Sequence, residues 1–328
     1  ENKVPMNYNG GSIYSDNGAY TQCTECNISE SSATQGGGVY LIGSNTRLDL
    51  RWSYIFNNNA LYSGGGIYVS GEAVLQARGN LYSNNSADGS FDSAGGGGAL
   101  YINDTAVVTS TNDQYNNNQA TQGYGGAVYA TSAANMASTN SFYISNIATN
   151  GNGGAIYVSS NATFSSTSDN IKKNKVAASG GSGGGLYVDQ EGRVHMDSTT
   201  FKYHHVSEYG GSIYVSSGAN VSILNNTVSD SVAVSGAGIY MTGVDTYLAL
   251  SGSTILSNTA SSSGGGVYVS GEAVLQAQDN LYSNNTALGN LTLDGGGGAL
   301  YVAPLASLSS MRDEFTMNKA MMGSGGDR

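Results

Sequence analysis

The sequence is poor in proline, cysteine, tryptophan and charge. Its 328 residues include two prolines, two cysteines and one tryptophan, and 11% are charged. With two cysteines, a disulfide-rich scaffold is excluded. The sequence has no run of 18 apolar residues, so we predict no transmembrane helix. The net charge is −11 and the one basic cluster is Lys172, Lys173 and Lys175, which we interpret as a solvated turn. Because phosphate binding needs many clustered Lys and Arg side chains, we expect no nucleic-acid partner.

Glycine and tyrosine are abundant instead, with 48 and 23 copies. Leu, Ile, Val and Phe make up roughly a fifth of the chain, close to the level at which a sequence is disordered. Order therefore depends on the regular placement of these few residues. The composition favours short strands and turns and nearly excludes long helices.

A Gly-Gly-x-aliphatic-Tyr motif returns every 26 to 33 residues. The tyrosines that end it are Tyr14, Tyr40, Tyr68, Tyr101, Tyr129, Tyr157, Tyr187, Tyr214, Tyr240, Tyr268 and Tyr301. Their spacings repeat after 200 residues, so residues 10–128 are equivalent to 210–328. Ser63–Asn85 returns as Ser263–Asn285 with three differences. Such self-similarity predicts one continuous stacked domain over residues 1–328.

Three alternating patterns in each repeat predict three short strands. Around the motif, aliphatic residues flank the tyrosine, as in Val39-Tyr40-Leu41, so the aliphatics share one face and the ring takes the other. We expect the aliphatics inside and the tyrosines in an outward row; the reverse assignment is the alternative. Such a row either only stabilises the stacking of the coils or forms an apolar contact stripe that a sister protofilament, a glycan layer or a target surface covers. Gly-Gly pairs supply sharp corners. The pattern predicts an all-β, parallel β-helix of 11–12 coils, about 55 Å long.

A second motif lies half a coil after the first. It has an aliphatic or aromatic residue, an Asn three positions later, and an Ala or Val two positions after the Asn. Its asparagines are Asn58, Asn85, Asn118, Asn146, Asn174, Asn258, Asn285 and Asn318. His204 and Asp230 take the Asn place in two coils. Because asparagine tolerates left-handed backbone, we expect it at a corner between strands. Stacked coil upon coil, these side chains predict a ladder of amides.

The combination of Gly-Gly-Ala-aliphatic with aromatic-x-x-Asn resembles the repeat of the chlamydial polymorphic outer-membrane protein family. The segments that carry the resemblance are Gly98-Ala99-Leu100, Gly126-Ala127-Val128, Gly154-Ala155-Ile156, Phe56-x-x-Asn59 and Phe315-x-x-Asn318. It covers essentially the whole chain and implies a right-handed parallel β-helix at the cell surface, used in adhesion or as a stalk. The chain departs from the family in its regular tyrosine and in having Tyr or Ile more often than Phe before the Asn.

Parallel β-helices also carry polysaccharide lyases and glycosidases, which need a unique cluster of acids or bases. The 23 acidic residues are scattered. The odd polar cluster is His195, Asp197, Lys202, His204 and His205. Because His204 stands where other coils have Asn, we interpret it as a turn residue. We expect no enzyme activity, no cofactor and no metal.

Cys23 and Cys26 form a lone C-x-x-C. A zinc site would need two further ligands nearby, and a redox motif would sit at a helix start in a βαβ unit. The sequence favours a local disulfide that stiffens the first coil, as in an oxidising compartment.

Eight Asn-x-Ser/Thr sequons are present. They start at Asn27, Asn84, Asn103, Asn161, Asn220, Asn225, Asn284 and Asn290. In an Asn- and Ser-rich chain several arise by chance. If the chain passes a eukaryotic secretory pathway, we expect glycans first at Asn84, Asn284, Asn103 and Asn161, because turn asparagines face solvent.

Two loops, Ala87–Ser93 and Ala287–Asp294, lengthen the third coil of each long period. Asp88, Asp92 and Asp294 suggest calcium, but they are too few for an oxygen cage, so we interpret the loops as contact loops. Taken together, the sequence predicts a structural segment of an extracellular, glycosylated fibre. It would assemble with itself head to tail, with lateral pairing possible. A cell-surface adhesin stalk is the alternative, and a polysaccharide-active enzyme is a remote one.

Overall fold

A computed structural model describes residues 8–89, 95–289 and 296–321. Over these ranges the chain is built of short strands, and each strand pairs in parallel with the equivalent strand one coil away, with one register shift, between Ser32–Gln35 and Asn59–Ser63. Within the same ranges, no helix reaches the length and hydropathy that a bilayer crossing requires. The chain winds as a β-solenoid, which confirms the predicted fold class.

The first of three 11-stranded sheets carries the motif tyrosines, and we call it the tyrosine sheet. Its strands are Ile13–Ser15, Val39–Ile42, Ile67–Ser70, Leu100–Ile102, Val128–Ala130, Ile156–Val158, Leu186–Val188, Ile213–Val215, Ile239–Met241, Val267–Val269 and Leu300–Val302. Tyr14, Tyr40, Tyr68 and their equivalents are direct partners in adjacent strands.

The second sheet follows the tyrosine sheet in each coil and has five-residue strands. They are Tyr20–Thr24, Arg47–Arg51, Val74–Arg78, Val107–Thr111, Asn135–Thr139, Thr163–Thr167, Arg193–Asp197, Asn220–Leu224, Tyr247–Ser251, Val274–Gln278 and Ser307–Met311. They alternate strictly between buried and solvent-facing residues in most coils, as in Val107–Thr111.

The third sheet has three-residue strands. They are Asn27–Ser29, Tyr54–Phe56, Leu81–Ser83, Gln114–Asn116, Phe142–Ile144, Asn170–Lys172, Thr200–Lys202, Thr227–Ser229, Thr254–Leu256, Leu281–Ser283 and Glu314–Thr316. The middle residue of each strand points into the core, and its neighbours face outward.

A fourth row of very short strands, which the sequence patterns do not predict, follows the third sheet. Six of them pair as one sheet: Ser32–Gln35, Asn59–Ser63, Ser86–Ala87, Gln119–Ala120, Ile147–Ala148 and Lys175–Val176. Four more pair as another: Val232–Ala233, Thr259–Ala260, Thr286–Ala287 and Lys319–Ala320. Between them, His205 makes only isolated bridges to Lys175 and Val232.

The core is a narrow column of aliphatic side chains from all three long sheets. Val39, Leu41, Leu48 and Leu50 are fully buried, and their equivalents are buried in the following coils except the last described one, where Val302 and Leu308 are 38% and 37% exposed. The aliphatics that flank the motif tyrosine thus point inward. At the Gly-Gly corner, a Cβ on Gly65 would collide with the carbonyl oxygens of Gly98 and Ser86, so this corner tolerates only glycine.

The core also holds a stack of aromatic rings from the third sheet. Tyr82, Tyr115 and Tyr143 are fully buried, and neighbouring ring centroids lie 4.7 Å apart. The Tyr115 and Tyr143 hydroxyls lie 2.9 and 2.8 Å from the Oγ atoms of Ser110 and Ser138. Within the described residues the Tyr82 hydroxyl is buried without a partner. The reason is that Ala77 stands in the position that Ser110 occupies one coil later.

We therefore expect Ala77→Ser to stabilise the protein by about 1 kcal/mol, because the new hydroxyl supplies the missing partner of Tyr82. Chemical denaturation of the variant and the parent measures the difference. The matched control is Ala77→Ser made in a Tyr82→Phe background. That background lacks the ring hydroxyl, so the serine should add no stability there. An Ala77→Ser variant less stable than its parent would contradict this account.

Candidate functional surfaces

The motif tyrosines form a stacked row on the outer face of the tyrosine sheet. Centroids of stacked neighbours lie between 4.4 Å, for Tyr187 and Tyr214, and 5.3 Å, for Tyr214 and Tyr240. The regularity follows from the in-register pairing, which places each ring one strand spacing from the next. One ring breaks the stack: Tyr129 stands edge-on to Tyr101 and Tyr157, at 89° and 85°.

The tyrosine row is less exposed to solvent than we expect for an outward row. Tyr14 is 55% exposed, whereas Tyr40 and Tyr157 are 6% and 4% exposed. Rings from corner loops add cover, since Tyr124 stacks on Tyr157 with centroids 4.5 Å apart and Tyr209 stacks on Tyr240 at 4.7 Å. Of the remaining motif tyrosines, Tyr68 and Tyr129 are buried and the others are half-buried. The chain itself therefore covers much of the surface that a partner would otherwise have to cover.

Burial and neighbouring rings raise the pKa of Tyr40 and Tyr157, which favours the neutral form of both. Loss of solvent raises the pKa of Tyr40 to about 12, with the neighbouring Tyr68 and Tyr14 adding to the shift. The Tyr157 hydroxyl donates to Asp189 Oδ2 at 2.8 Å. Burial is the main cause that raises the pKa of Tyr157, and the Asp189 carboxylate is the second. Burial likewise raises the pKa of Asp189, against the effect of the Tyr157 hydrogen bond.

The predicted asparagine ladder is present at the corner between the third sheet and the fourth row. Asn58 Nδ2 donates to Asn85 Oδ1 at 3.0 Å, and Asn85 Nδ2 donates to Asn118 Oδ1 at the same distance. Each Oδ1 also accepts from the backbone N–H of the ladder residue one coil earlier, as Asn85 does from Asn58. Each Nδ2 also donates to a backbone carbonyl, as from Asn58 to Ile28. The ladder thus satisfies amide groups that would be costly to bury unpaired.

Three details of the asparagine motif differ from the sequence interpretation. The left-handed residue at this corner is the one before the ladder position, such as Asn84 with φ 53°. Ser231, and not Asp230, takes the ladder position in its coil, since its backbone N–H donates to Asn258 Oδ1 at 3.0 Å. The pair Phe56-x-x-Asn59 is one residue out of register, because Ile55 and Asn58 are the buried pair.

His204 interrupts the asparagine ladder. Its ring is buried, with Nδ1 3.1 Å from the Asn174 carbonyl oxygen and Nε2 3.0 Å from the Ile171 carbonyl oxygen. Two carbonyl acceptors favour the protonated ring, but burial outweighs them and lowers the pKa to about 4. The ring is therefore neutral at pH 7 and holds a structural position.

The other members of the odd polar cluster do not converge with His204. His195 and Asp197 lie on the outer face of the second sheet. Lys202 lies on the third sheet, where its Nζ is 3.5 Å from Asp230, and His205 is exposed in the fourth row. His195 and Asp197 thus share one face, and the other three residues lie elsewhere on the solenoid.

A second polar ladder, which the sequence analysis missed, lies at the corner between the second and third sheets. Its members are Cys26, Ser53, Asn80, Asp113, Ser141, Asp169, Thr199, Asn226, Ser253, Asn280 and Asp313. Ser53 N–H donates to Asn80 Oδ1 at 2.9 Å, and Asn80 N–H donates to Asp113 Oδ1 at 2.7 Å. The sequence does contain a pattern that marks this ladder. A small polar residue stands two positions before each core residue of the Asn motif, as in Ser53-x-Ile55.

Two buried carboxyl groups in this corner ladder have displaced pKa values. Burial raises the pKa of Asp113 to about 7, against hydrogen bonds from Asn80 and Ser110. Burial raises the pKa of Asp169 to about 6, against hydrogen bonds from Ser141 and Ser166. Both groups therefore titrate near neutral pH in the folded protein.

Cys23 and Cys26 are joined as a disulfide in the first coil. Cys23 is buried in the core column, where its strand partner is Leu50. Cys26 takes the corner-ladder position, and its N–H donates to Ser53 Oγ at 3.0 Å. The disulfide therefore links the second sheet to the corner at the first described coil.

Most sequons lie on the surface. Asn27, Asn84, Asn161, Asn220, Asn225 and Asn284 are exposed, and Asn103 is half-buried. Asn84, Asn161, Asn225 and Asn284 have left-handed backbone at corners, with φ between 53° and 62°. Asn290 lies outside the described residues.

The lengthened loops are described only in part. Asp88 is half-buried, whereas Asp92 and Asp294 lie outside the described residues, so the calcium interpretation is not tested. Over the described ranges, no group of three or more His, Cys, Asp or Glu side chains is placed to hold a metal. An open concavity of about 450 Å³ lies at another corner, lined in part by Glu191, Arg193 and Asp245.

The comparisons with known proteins support the fold. Residues 166–321 match the family model of the right-handed β-helix region. No curated protein matches the chain significantly. No solved structure does so either. The chain is thus a right-handed parallel β-helix repeat protein, a fold found in enzymes and non-enzymes alike.

Loss of a ring from the middle of the tyrosine row should destabilise the protein. Tyr187 lies 5.0 Å from Tyr157 and 4.4 Å from Tyr214, centroid to centroid, so Tyr187→Ala removes two stacking contacts and leaves a gap. We expect a loss of about 3 kcal/mol in the free energy of unfolding. Tyr14→Ala, at the exposed end, is the matched control and should cost under about 1 kcal/mol. Equal losses for the two variants would show that the stack contributes nothing.

The raised carboxyl pKa values predict that stability falls as pH rises. Because Asp113 has a pKa of about 7 when folded and about 3.9 when unfolded, the folded state binds more protons between these values. Its contribution is fully present below about pH 4 and is lost as pH rises through 7. Asp113→Asn keeps the acceptor for Asn80 and removes the charge, so we expect it to stabilise the protein at pH 8 by on the order of 1–3 kcal/mol.

Thermal unfolding of the parent and the Asp113→Asn variant at pH 5 and pH 8 measures this effect. The gain should be much larger at pH 8 than at pH 5. A gain that is independent of pH would rule out titration of Asp113 as the cause.

Proposed function

We propose that this chain is a structural segment of an extracellular fibre, assembled head to tail along the solenoid axis. The observation that carries the proposal is the stacking itself, which is in register from the first described coil to the last. Each coil meets the next through backbone hydrogen bonds and the tyrosine row, and most coils also do so through the asparagine ladder. These contacts have no intrinsic end, so they suit coils of separate chains as well as coils of one chain.

The long period supports the same proposal. Residues 10–128 and 210–328 share their repeat spacing, so seven coils of about 4.8 Å bring the same faces back after about 34 Å. A fibre gains from equivalent surfaces at fixed intervals, which also offers a basis for lateral pairing of two chains.

An extracellular, glycosylated location fits the surface chemistry. Six sequon asparagines are exposed, and the Cys23–Cys26 disulfide suits an oxidising compartment. We propose glycans at Asn84 and Asn284, which occupy equivalent left-handed corners 200 residues apart. Glycopeptide mapping of native material checks this proposal, and unmodified peptides at both sites would contradict it.

A cell-surface adhesin stalk is the second candidate. It is favoured by the Gly-Gly-Ala-aliphatic resemblance to the polymorphic outer-membrane proteins and by exposed aromatic residues on the third sheet, such as Tyr54 and Phe142 at 53% and 41% exposure. In that case the solenoid would work as a monomer and bind through its side faces. We propose a non-enzymatic role in either case, because the odd polar residues do not gather on one face. Glycan hydrolysis or cleavage that is lost in Asp197→Ala or His205→Ala would overturn that view.

Fibre assembly should be blocked by a charge on the stacking face of the last described coil. Phe315 ends a core stack with Tyr282, at a centroid distance of 4.8 Å, and is 48% exposed. We expect Phe315→Lys to abolish filaments, because the incoming coil would bury an unpaired ammonium. The control is Met317→Lys, at a corner residue that is 70% exposed and lies outside the core column.

Electron microscopy and light scattering of the parent and both variants test the prediction. Parent filaments should have an axial rise that is a whole multiple of about 4.8 Å, and Met317→Lys should keep them. A parent protein that stays a monodisperse monomer at high concentration would contradict the fibre and favour the adhesin stalk.

A further inference from the structure

The 200-residue period lets one part of the chain serve as a control for another. Residues 39–87 and 239–287 build equivalent coils with the same spacing. The core and ladder positions that are identical in both include Leu48, Leu50, Ser53, Ile55, Asn58, Leu75, Ala77, Asn80, Tyr82 and Asn85. These residues are what the coil needs in order to fold.

The outer surface at the corner between the second and third sheets differs between the two copies. The first copy has Arg51, Trp52, Tyr54, Arg78 and Gly79, where the second has Ser251, Gly252, Thr254, Gln278 and Asp279. Since the second copy forms the same strands, the fold does not require the first set. We call Arg51, Trp52, Tyr54 and Arg78 the Arg-Trp patch.

The Arg-Trp patch is unfavourable for stability in two respects. Trp52, the only tryptophan of the chain, has left-handed backbone with φ 47° and is 53% exposed. The equivalent Gly252 adopts φ 59° without the steric strain that a side chain adds there. Arg51 and Arg78 are direct partners on adjacent strands, which brings two like charges to neighbouring positions on one face.

Neighbouring residues hold the patch in place. Asp49 accepts from Arg47 Nε at 2.9 Å and lies 3.8 Å from Arg51. Tyr54 follows Trp52 by two residues, starts the adjoining strand of the third sheet and is 53% exposed. The Trp52 ring lies against Gly79, where a Cβ would come within 2.7 Å of its Cδ1 atom, so glycine makes room for the indole.

The patch is one of two places where this acidic chain gathers positive charge, the other being Lys172, Lys173 and Lys175. The whole chain has a net charge of −11 and 12 Lys and Arg residues, and Arg47, Arg51 and Arg78 are partners or neighbours on two adjacent strands. Among the described residues, no carboxylate lies within ion-pair distance of Arg78. Guanidinium groups bind carboxylates and sulfates through paired hydrogen bonds, and exposed indole and phenol rings offer flat faces for stacking.

We propose that the Arg-Trp patch binds an acidic polysaccharide. Arg51 and Arg78 hold carboxylate or sulfate groups, and sugar rings lie against Trp52 and Tyr54. A nucleic acid fits less well, because it requires many more cationic contacts along its backbone than these few arginines provide. The proposal does not depend on fibre assembly, since a single chain carries the whole patch.

The single tryptophan makes the test direct. The fluorescence of Trp52 is followed while polygalacturonate, dextran sulfate or neutral dextran is titrated into the protein. We expect a saturable change with at least one acidic polymer, weakened by salt, and none with neutral dextran. Binding of polygalacturonate alone assigns carboxylates, and binding of dextran sulfate alone assigns sulfates.

The second copy of the coil supplies the matched variants. Arg51→Ser with Arg78→Gln gives the residues of the second copy and keeps Trp52 as the probe, so we expect a fold that is intact by circular dichroism and binding at least tenfold weaker. Arg193→Gln removes an exposed arginine elsewhere on the second sheet and should bind like the parent. Trp52→Gly with Tyr54→Thr, measured by calorimetry, should also lose at least tenfold in affinity.

Three results would overturn the proposal. One is an unchanged Trp52 emission with both acidic polymers. Another is equal affinity of the parent and the Arg51→Ser, Arg78→Gln variant. The third is a single-stranded oligonucleotide that binds the patch more tightly than either polysaccharide, which would assign the patch to nucleic acid.

Discussion

In-register parallel pairing is the interaction on which the rest of this molecule depends. Because each strand pairs with its equivalent one coil away, every residue lies beside the residue of the same position in the repeat. Like therefore stacks on like. Aliphatic residues form the core column, tyrosines stack outside it, and amides form ladders at the corners. A repeat that satisfies its own contacts once satisfies them in every coil.

The same constraint makes each departure from the repeat visible as a local change in chemistry. Where Ala77 replaces a serine, the Tyr82 hydroxyl loses its partner among the described residues. Where Asp113 replaces an amide, a buried carboxyl acquires a raised pKa. Where His204 replaces an asparagine, the ladder stops and the fourth row divides into two sheets. The long period helps to identify functional residues in the same way. It distinguishes residues that both copies contain from residues that only one copy has.

Much of the fold could be predicted because its signals are local and repeated. The alternation around Tyr40 assigns Val39 and Leu41 to the core, and the spacing of Asn58, Asn85 and Asn118 predicts a ladder. The corner ladder of Ser53, Asn80 and Asp113 was missed because its members vary in residue type, and only their common corner relates them. The placing of Asp230 in the ladder was wrong by one residue, because serine at position 231 hides the motif.

The sequence by itself determined the architecture, since a short period with inward aliphatic residues and glycine corners permits few other ways to bury so small an apolar content. It also determined that the tyrosines and asparagines form rows. Only the tertiary structure decided how much of each row is covered. Tyr124 and Tyr209 stand directly before Gly-Gly pairs, and their rings stack on Tyr157 and Tyr240 of the next coil, a contact that the sequence pattern does not reveal. The structure also decided that Trp52, Arg51 and Arg78 share one outer corner, because strand pairing brings together residues that lie 26 or more positions apart.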